Sequence, residues 1–194
     1  MPDQTAVARI FEGYATARRG DLREGGAAIR AGLADWLATG AVVGSAYHRS
    51  LLAETCARQG DTDDALAILT EALSEVKRTG EQWGEAELTR QVGDMHRLKG
   101  DRDAAERHFW QAIEIARGQS AKLFELRAAV SLARLWSEQG KRAEARKLLA
   151  PTYGWFTEAF NLRDLKEAKA LLDELTGTII SAAVSDCPAD PRNS

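Results

Sequence analysis

The sequence predicts an all-α solenoid of about four helix-turn-helix units, and three observations favour this fold class. Glycines recur at a constant interval of 40 residues, at Gly20, Gly60, Gly100 and Gly140. Each is followed five residues later by a small residue, glycine or alanine. Apolar residues on both sides of these turns recur at helical spacing. A fixed period of this length is typical of proteins that stack one structural unit on the next.

Composition and charge indicate a folded protein without a general affinity for polyanions. Of 194 residues, 44% are hydrophobic and 28% are charged, close to globular averages. The net charge of −3 disfavours nucleic acid and anionic membranes as partners. Cys56 and Cys187 belong to no metal or redox motif, so we expect reduced thiols in a cytoplasm. The N-terminus lacks a signal sequence, and no apolar run is long enough to span a bilayer.

The first unit is predicted at about residues 5–40. Apolar periodicity favours helices at Thr5–Arg18 and Leu22–Ala38. Because glycine costs roughly 1 kcal/mol of helix propensity relative to alanine, we expect Gly25 and Gly32 to loosen this unit and its second helix to be the weakest.

The second and third units, at about 43–80 and 82–118, repeat one pattern. Their first helices are predicted at Ser45–Gln59 and Trp83–Lys99, and an aspartate after each turn glycine is expected to cap the second helix. The second helices carry one apolar stripe shifted by 40 positions. The stripe comprises Ala65, Leu69, Ala72, Leu73 and Val76, and then Ala105, Phe109, Ala112, Ile113 and Ala116.

The fourth unit, at about 120–160, is followed by a predicted capping helix at 161–176. Pro151 predicts a kink or break in the last helix of the unit, and Asn161 is expected to cap the next helix. Since a terminal repeat turns a polar face to water, the charges of the capping helix are expected on its outer surface. These charges are Arg163, Lys166, Glu167, Lys169, Asp173 and Glu174. We therefore expect residues 1–177 to form one repeat domain and residues 178–194 to be a flexible tail.

A small residue also stands seven places before each turn glycine, at Gly13, Ala53, Gly93 and Ala133. With the small residue after the turn, this pattern resembles tetratricopeptide repeats (TPRs), although the period is 40 rather than the usual 34. The resemblance implies a right-handed α-solenoid in which the two helices of a unit cross closely at these positions. It also implies that the first helix of each unit lines the concave surface.

A narrower resemblance rests on sequence blocks such as Glu125–Ala129, Trp155–Phe160 and Asp164–Ala168. These blocks are similar to the C-terminal repeat region of bacterial signalling proteins that carry an ATPase module or a class III adenylate/guanylate cyclase domain. The resemblance implies such a module, in the same or a neighbouring chain, as a partner. This sequence has no Gly-x-x-x-x-Gly-Lys-Ser/Thr phosphate loop, so ATP hydrolysis is not carried over.

The repeat frame predicts which side chains face the concave groove, and these are our candidate partner-binding residues. They are Tyr14, Tyr47, Glu54, Arg58, Glu87, Arg90, Asp94, Arg97, Arg127 and Arg134. One interpretation is a groove for an acidic or mixed-charge segment, because guanidinium groups suit carboxylates. The other is a solvated face on which Glu87, Arg90, Asp94 and Arg97 pair with each other at i+3 and i+4. The groove does not match the carboxylate clamp of chaperone-tail-binding repeats, since that clamp needs Lys or Asn at the places of Ile10, Tyr14 and Glu87.

No motif for catalysis, metal binding or a cofactor is present in the sequence. His48, His96 and His108 lack partners at metal-ligand spacing, and we assign them structural or surface roles. Trp83 and Trp110 fall at unit edges and are candidate interface residues. The leading hypothesis is a non-enzymatic protein-binding scaffold of a bacterial signalling system. The alternatives are a receptor for a small peptide or metabolite and a module for self-association.

Overall fold

The computed structural model describes residues 4–177, which form nine α-helices and no β-strand. The predictions for the tail, including Cys187, lie outside the described residues. The helices are α1 Gln4–Arg19, α2 Leu22–Ala38, α3 Ser45–Gln59, α4 Thr62–Thr79, α5 Glu85–Leu98, α6 Arg102–Gly118, α7 Lys122–Glu138, α8 Arg142–Gly154 and α9 Arg163–Leu175. The predicted all-α solenoid is confirmed, and α2 and α3 have the predicted bounds.

The helices form two layers, and the layers differ in how tightly they pack. Each helix packs on the next one in the chain. The helices α1, α3, α5, α7 and α9 also pack on one another in that order, whereas the backbones of α2, α4, α6 and α8 do not approach one another as closely in the described part of the chain. The helices α2 and α4 meet through the Arg30–Asp64 ion pair at 2.7 Å. Because only one layer is closely packed, the array curves around it. The odd-numbered helices therefore line the concave surface.

The recurring glycines end the first helices in the left-handed conformation that their turns require. Gly60 has φ 94°, and the next residue, Asp61, donates its backbone N–H to Cys56 O at 3.0 Å. This backward hydrogen bond satisfies a terminal carbonyl group of the helix. An aspartate after the turn glycine caps the second helix in the first and third units, where Asp21 and Asp101 accept from backbone N–H groups at 3.0 Å. Asp61 also stands at the predicted N-cap position of α4, but its side chain accepts no capping hydrogen bond.

The predicted apolar stripes form the core. In α4, the side chains of Ala65, Leu69, Ala72 and Val76 are buried, and Leu73 is partly buried against the same cluster. All five residues of the α6 stripe are buried as well. Phe109 is among the largest fully buried side chains of the described residues. The repeat interval therefore predicted correctly which faces of these helices pack.

Close helix crossings occur where the small residues were predicted, and one expectation is corrected there. A Cβ atom added to Gly25 would lie 2.5 Å from Gly13 O, and one added to Gly32 would lie 2.8 Å from Ala6 O. These glycines do not loosen the first unit, because without side chains they let α1 and α2 approach to backbone contact. The close packing of α1 on α2 outweighs the low helix propensity of these glycines.

Two predicted boundaries near the C-terminus are also corrected. Helix α8 continues through Pro151 and ends at Gly154, so there is no break at the proline. The proline lies in the last turn, so α8 loses only the hydrogen bond to the carbonyl of Lys147, and only three helical residues follow. Asn161 is not the cap of α9, because that position is Leu162 and its side chain caps nothing. Within the described residues, no helix has the length and apolarity needed to cross a bilayer.

Candidate functional site

The concave face encloses a cavity of about 630 Å³, which we call the groove cavity. It reaches from α1 at one end of the array to α9 at the other. The lining includes nine of the ten predicted groove residues, all except Tyr47. The complete lining is Tyr14, Arg18, Ala53, Glu54, Ala57, Arg58, Leu69, Glu87, Arg90, Gln91, Asp94, Met95, Arg97, Leu98, Arg127, Val130, Ser131, Arg134, Arg163, Asp164 and Glu167. Tyr47 instead lies against Trp83, with 5.0 Å between the ring centroids.

A buried cluster of charges on α5 forms part of the cavity wall. Arg90 donates to Glu87 at 2.7 and 3.0 Å, pairs with Asp94, and reaches Ser131 on α7 at 3.2 Å. Burial alone would lower the pKa of Arg90, but the two carboxylates outweigh it and raise that pKa. These three residues therefore pair with one another, as the solvated-face alternative predicted, but the cluster is largely buried and not a solvated face. Arg97 does not join them, because it pairs with Glu138 at 3.0 Å.

Contacts between the first two units define another part of the wall. Tyr14 and Arg18 on α1 both donate to Glu54 on α3, at 2.8 and 2.9 Å. Burial, followed by the charge of Glu54, raises the pKa of the Tyr14 hydroxyl well above its usual range. The tyrosine is thus neutral and serves as a hydrogen-bond donor that joins consecutive units.

Helix α9 contributes charged residues that were predicted on the outer surface of the array. Asp164 accepts two hydrogen bonds from Arg127, at 2.8 and 3.1 Å, and Glu167 pairs with Arg134 at 3.4 Å. Arg163 also lines the cavity and pairs with Glu167 at 2.6 Å. The placement of Arg163 and Glu167 on the outside was therefore wrong. The alternation of layers could have corrected it, since a helix that follows a second-layer helix returns to the concave layer.

The cavity lining contains more arginines than carboxylates, seven against five. Arg97 pairs with Glu138, a carboxylate that is not part of the lining. Arg58 is different. In residues 4–177 no carboxylate lies within ion-pair distance of Arg58, and its guanidinium donates to the backbone carbonyl of Ala17 at 3.0 Å. The concave surface thus keeps one arginine whose charge is not matched by a carboxylate.

The three histidines contact aromatic rings or each other, and the thiol of Cys56 is buried. His48 is buried between the rings of Phe11 and Trp36, and burial lowers its pKa. His96 and His108 stack edge to face, with 5.1 Å between their ring centroids. Burial raises the pKa of the Cys56 thiol to about 11, which makes it a weak nucleophile at neutral pH. In the described part of the chain, no three His, Cys, Asp or Glu side chains are placed to hold a metal ion.

The two tryptophans proposed as interface residues differ in the structure. Trp83 is 48% exposed. Trp110 is partly buried and packs against Trp136, with 5.9 Å between the rings. Trp110 is therefore a core residue, whereas Trp83 remains available to a partner.

Comparison with known proteins identifies the repeats. A family model described as Tetratricopeptide repeat matches residues 43–118, and a second with the same description matches residues 126–151. No curated protein matches the sequence.

Solved structures share the architecture. The TPR-like repeats of a Podosopora anserina protein described as a kinesin light chain superpose with a TM-score of 0.66 at 14% identity, covering 89% of this chain and 87% of that chain. BtubC (BKLC) from P. vanneervenii gives 0.61 at 16% identity, with 98% and 93% covered, and MamA gives 0.53 at 15%, with 89% and 81% covered. At such identities the likeness shows the fold alone. The chain therefore carries tetratricopeptide repeats at 43–118 and 126–151, within a TPR-like helical solenoid.

Proposed function

We propose that this chain is a non-catalytic binding scaffold whose groove cavity receives an acidic segment of a partner protein. TPR arrays generally serve as scaffolds for protein–protein interaction, and the single observation that carries the finer proposal is the arginine-rich lining of the cavity. Arg58 lacks a carboxylate partner in the described chain, and Arg97 and Arg134 each keep at least a third of the side chain exposed. Of the predicted groove arginines, these three and Arg127, whose side chain is 32% exposed, are the ones that an acidic ligand can reach.

The physical chemistry of the lining suits a carboxylate. Guanidinium groups present fixed pairs of donors that match carboxylate oxygens. A hydrogen bond to a charged group contributes about 1.5–3 kcal/mol when it is partly shielded from water. Arg90 is not part of this recognition, because Glu87 and Asp94 already satisfy it. The residues that would bind are thus a subset of the predicted groove.

The source of the acidic segment is a further part of the proposal. The sequence blocks Trp155–Phe160 and Asp164–Ala168 are similar to those of bacterial signalling proteins. We therefore propose an ATPase or cyclase module in the cytoplasm, in the same or a neighbouring chain, as its origin. Co-purification of the chain with the protein encoded beside it tests this origin separately from the chemistry of the cavity.

Binding of a fluorescein-labelled tetraglutamate peptide, followed by anisotropy, tests the cavity. We expect saturable binding that weakens with added salt, and no binding of tetraglutamine. The double variant Arg58→Glu/Arg97→Glu should weaken binding at least tenfold, because it reverses two charges. Arg146→Glu is the matched control, since Arg146 is exposed on α8 and outside the lining. Equal affinity for the wild type and the double variant would overturn the proposal.

A receptor for a small peptide or metabolite is the second candidate, and the cavity volume favours it. A volume of about 630 Å³ lies within the range of small-molecule sites, roughly 300–1,000 Å³. Thermal-shift screening with di- and tricarboxylates tests it. A small acid that raises the melting temperature of the wild type, and not of Arg58→Glu/Arg97→Glu, would support this reading. Self-association through Trp83 stays a prediction that light scattering can test.

A further inference from the structure

Helix α9 already places carboxylates where an acidic ligand would bind. Asp164 holds the guanidinium of Arg127 through two hydrogen bonds, and Glu167 holds that of Arg134. The two carboxylates are three residues apart, one helical turn, so they lie on the same face of α9. The helix thus offers the groove arginines the same chemistry as an acidic segment of another protein.

The attachment of α9 makes it the element most easily exchanged. Within the described chain α9 packs only on α7 and α8, whereas an internal helix such as α5 has neighbours on both sides along the array. A terminal unit of a repeat array lacks one stacking interface, and such units open at lower free energy than internal ones. The residues between α8 and α9 form turns without helix, from Trp155 to Leu162. This connection gives α9 room to move without unfolding α8.

The inner face of α9 nevertheless holds it in place while the cavity is free of ligand. Leu165, Ala168, Leu171 and Leu175 are buried against the C-terminal core cluster. Two kinds of contact therefore act together, apolar packing and the carboxylate pairs. A ligand that replaces the pairs removes one of the two.

From this arrangement we infer that α9 is an intramolecular competitor for the groove arginines. An acidic segment that takes Arg127 and Arg134 releases Asp164 and Glu167, so that ligand binding and docking of α9 oppose each other. The inference rests on the proposed acidic ligand and adds a regulatory consequence. Because such coupling is reciprocal, any change that loosens α9 increases the affinity of the cavity for the acidic segment.

The test combines one variant with one measurement on the unaltered protein. Asp164→Asn/Glu167→Gln removes the competing charges and keeps the shape of both side chains. We expect this variant to bind labelled tetraglutamate about tenfold more tightly than the wild type. The matched control is Asp173→Asn, because Asp173 lies on the same helix, outside the cavity, and pairs with Lys169. It should leave the affinity unchanged.

Hydrogen exchange on the wild type gives an independent result that needs no substitution. Saturating tetraglutamate should accelerate amide exchange in α9 several-fold, while exchange in α5 stays the same or slows. Equal affinity of the wild type and Asp164→Asn/Glu167→Gln, or slower exchange in α9 with peptide, would overturn the inference and leave the acidic-ligand proposal standing. Failure of tetraglutamate to bind either protein would overturn both.

Discussion

The substitution Gly25→Ala tests whether the close packing of α1 on α2 requires a glycine at this position. Gly25 faces α1 across the closest crossing of the first unit. A Cβ atom there would lie 2.5 Å from Gly13 O, 2.6 Å from Ala17 N and 2.7 Å from Ala17 Cβ. Two of these atoms belong to the backbone of a helix, which cannot rotate away as a side chain can. The helices α1 and α2 must therefore separate before alanine fits.

Two opposing terms give the expected magnitude. Overpacking costs about 1–3 kcal/mol, and contact with backbone atoms places Gly25→Ala near the upper end of that range. Replacing glycine by alanine inside a helix gains about 1 kcal/mol. The expected net effect is a loss of about 2 kcal/mol in the free energy of unfolding. The adjacent Gly26→Ala is the matched control, because its Cβ would lie 3.4 Å from Gln59 Nε2 and 3.6 Å from Thr55 Cγ2. That variant keeps the gain of about 1 kcal/mol without a clash.

The assay is urea denaturation followed by circular dichroism, with hydrogen exchange in α1 and α2 as a local readout. The local readout matters because an end unit of a repeat array can open separately from the rest. The two variants should change the protection of α1 in opposite directions. If Gly25→Ala matches or exceeds the wild type in stability, or if both variants shift it equally, then close packing of α1 on α2 is not the reason for the glycine.

Two further predictions concern single side chains. Glu125 is 4% exposed and pairs with Arg117 and Lys122, each at 2.7 Å. Burial alone would raise the pKa of Glu125, but the two cations outweigh burial and lower that pKa. Glu125→Gln should therefore reduce the free energy of unfolding by about 1–2 kcal/mol at pH 7. A lowered pKa stabilises the folded state above the unfolded pKa of roughly 4.3. The difference in unfolding free energy between wild type and Glu125→Gln should therefore vanish as pH falls through the folded pKa. A difference that persists in denaturation curves at pH 2–3 would contradict the ion pairing. Burial raises the pKa of Cys56 to about 11 from a usual value of 9.0. Cys56 should therefore react with iodoacetamide at pH 7.5 about a hundredfold more slowly in the folded protein than in urea. The measurement uses the variant Cys187→Ser, in which Cys56 is the remaining thiol. Labelling of the folded protein at the unfolded rate would contradict its burial.

The architecture could be predicted because the sequence repeats it. A turn that needs φ > 0 accepts few residues other than glycine, so Gly60, Gly100 and Gly140 mark the turns without ambiguity. Once the turns are known, the interval of 40 assigns the buried stripes of α4 and α6. Regularity of this kind gives several independent observations of one structural unit.

The errors fall where another rule is placed above the repeat frame. Helix propensity alone misjudges Gly25 and Gly32, although their equivalents in the second unit are Ala65 and Ala72, two small residues of the buried stripe. The predicted break at Pro151 ignored how near the proline stands to the end of its helix. Arg163 and Glu167 were assigned to the outside by the role expected of a cap, although α9 packs as one more helix of the concave layer.

The register of the array also explains why the groove largely neutralises itself. Equivalent positions of successive first helices lie side by side, so Tyr14 donates to Glu54, 40 residues away, and Arg97 pairs with Glu138, 41 residues away. Had each unit carried the same charge at such a position, like charges would have stacked along the cavity. The groove positions therefore vary between units, while the turn glycines do not.

Arg58 stands apart from this pattern of paired charges. Stacking of the units explains an arginine that meets a carboxylate, but the guanidinium of Arg58 meets only the carbonyl of Ala17 among the groups described. A single hydrogen bond to a carbonyl does not require a full charge, because a neutral amide could provide it. Among the arginines of the cavity lining, Arg58 is thus the one whose charge no ion pair of the described residues uses. Its replacement by glutamine is for that reason the change that best separates ligand binding from stability.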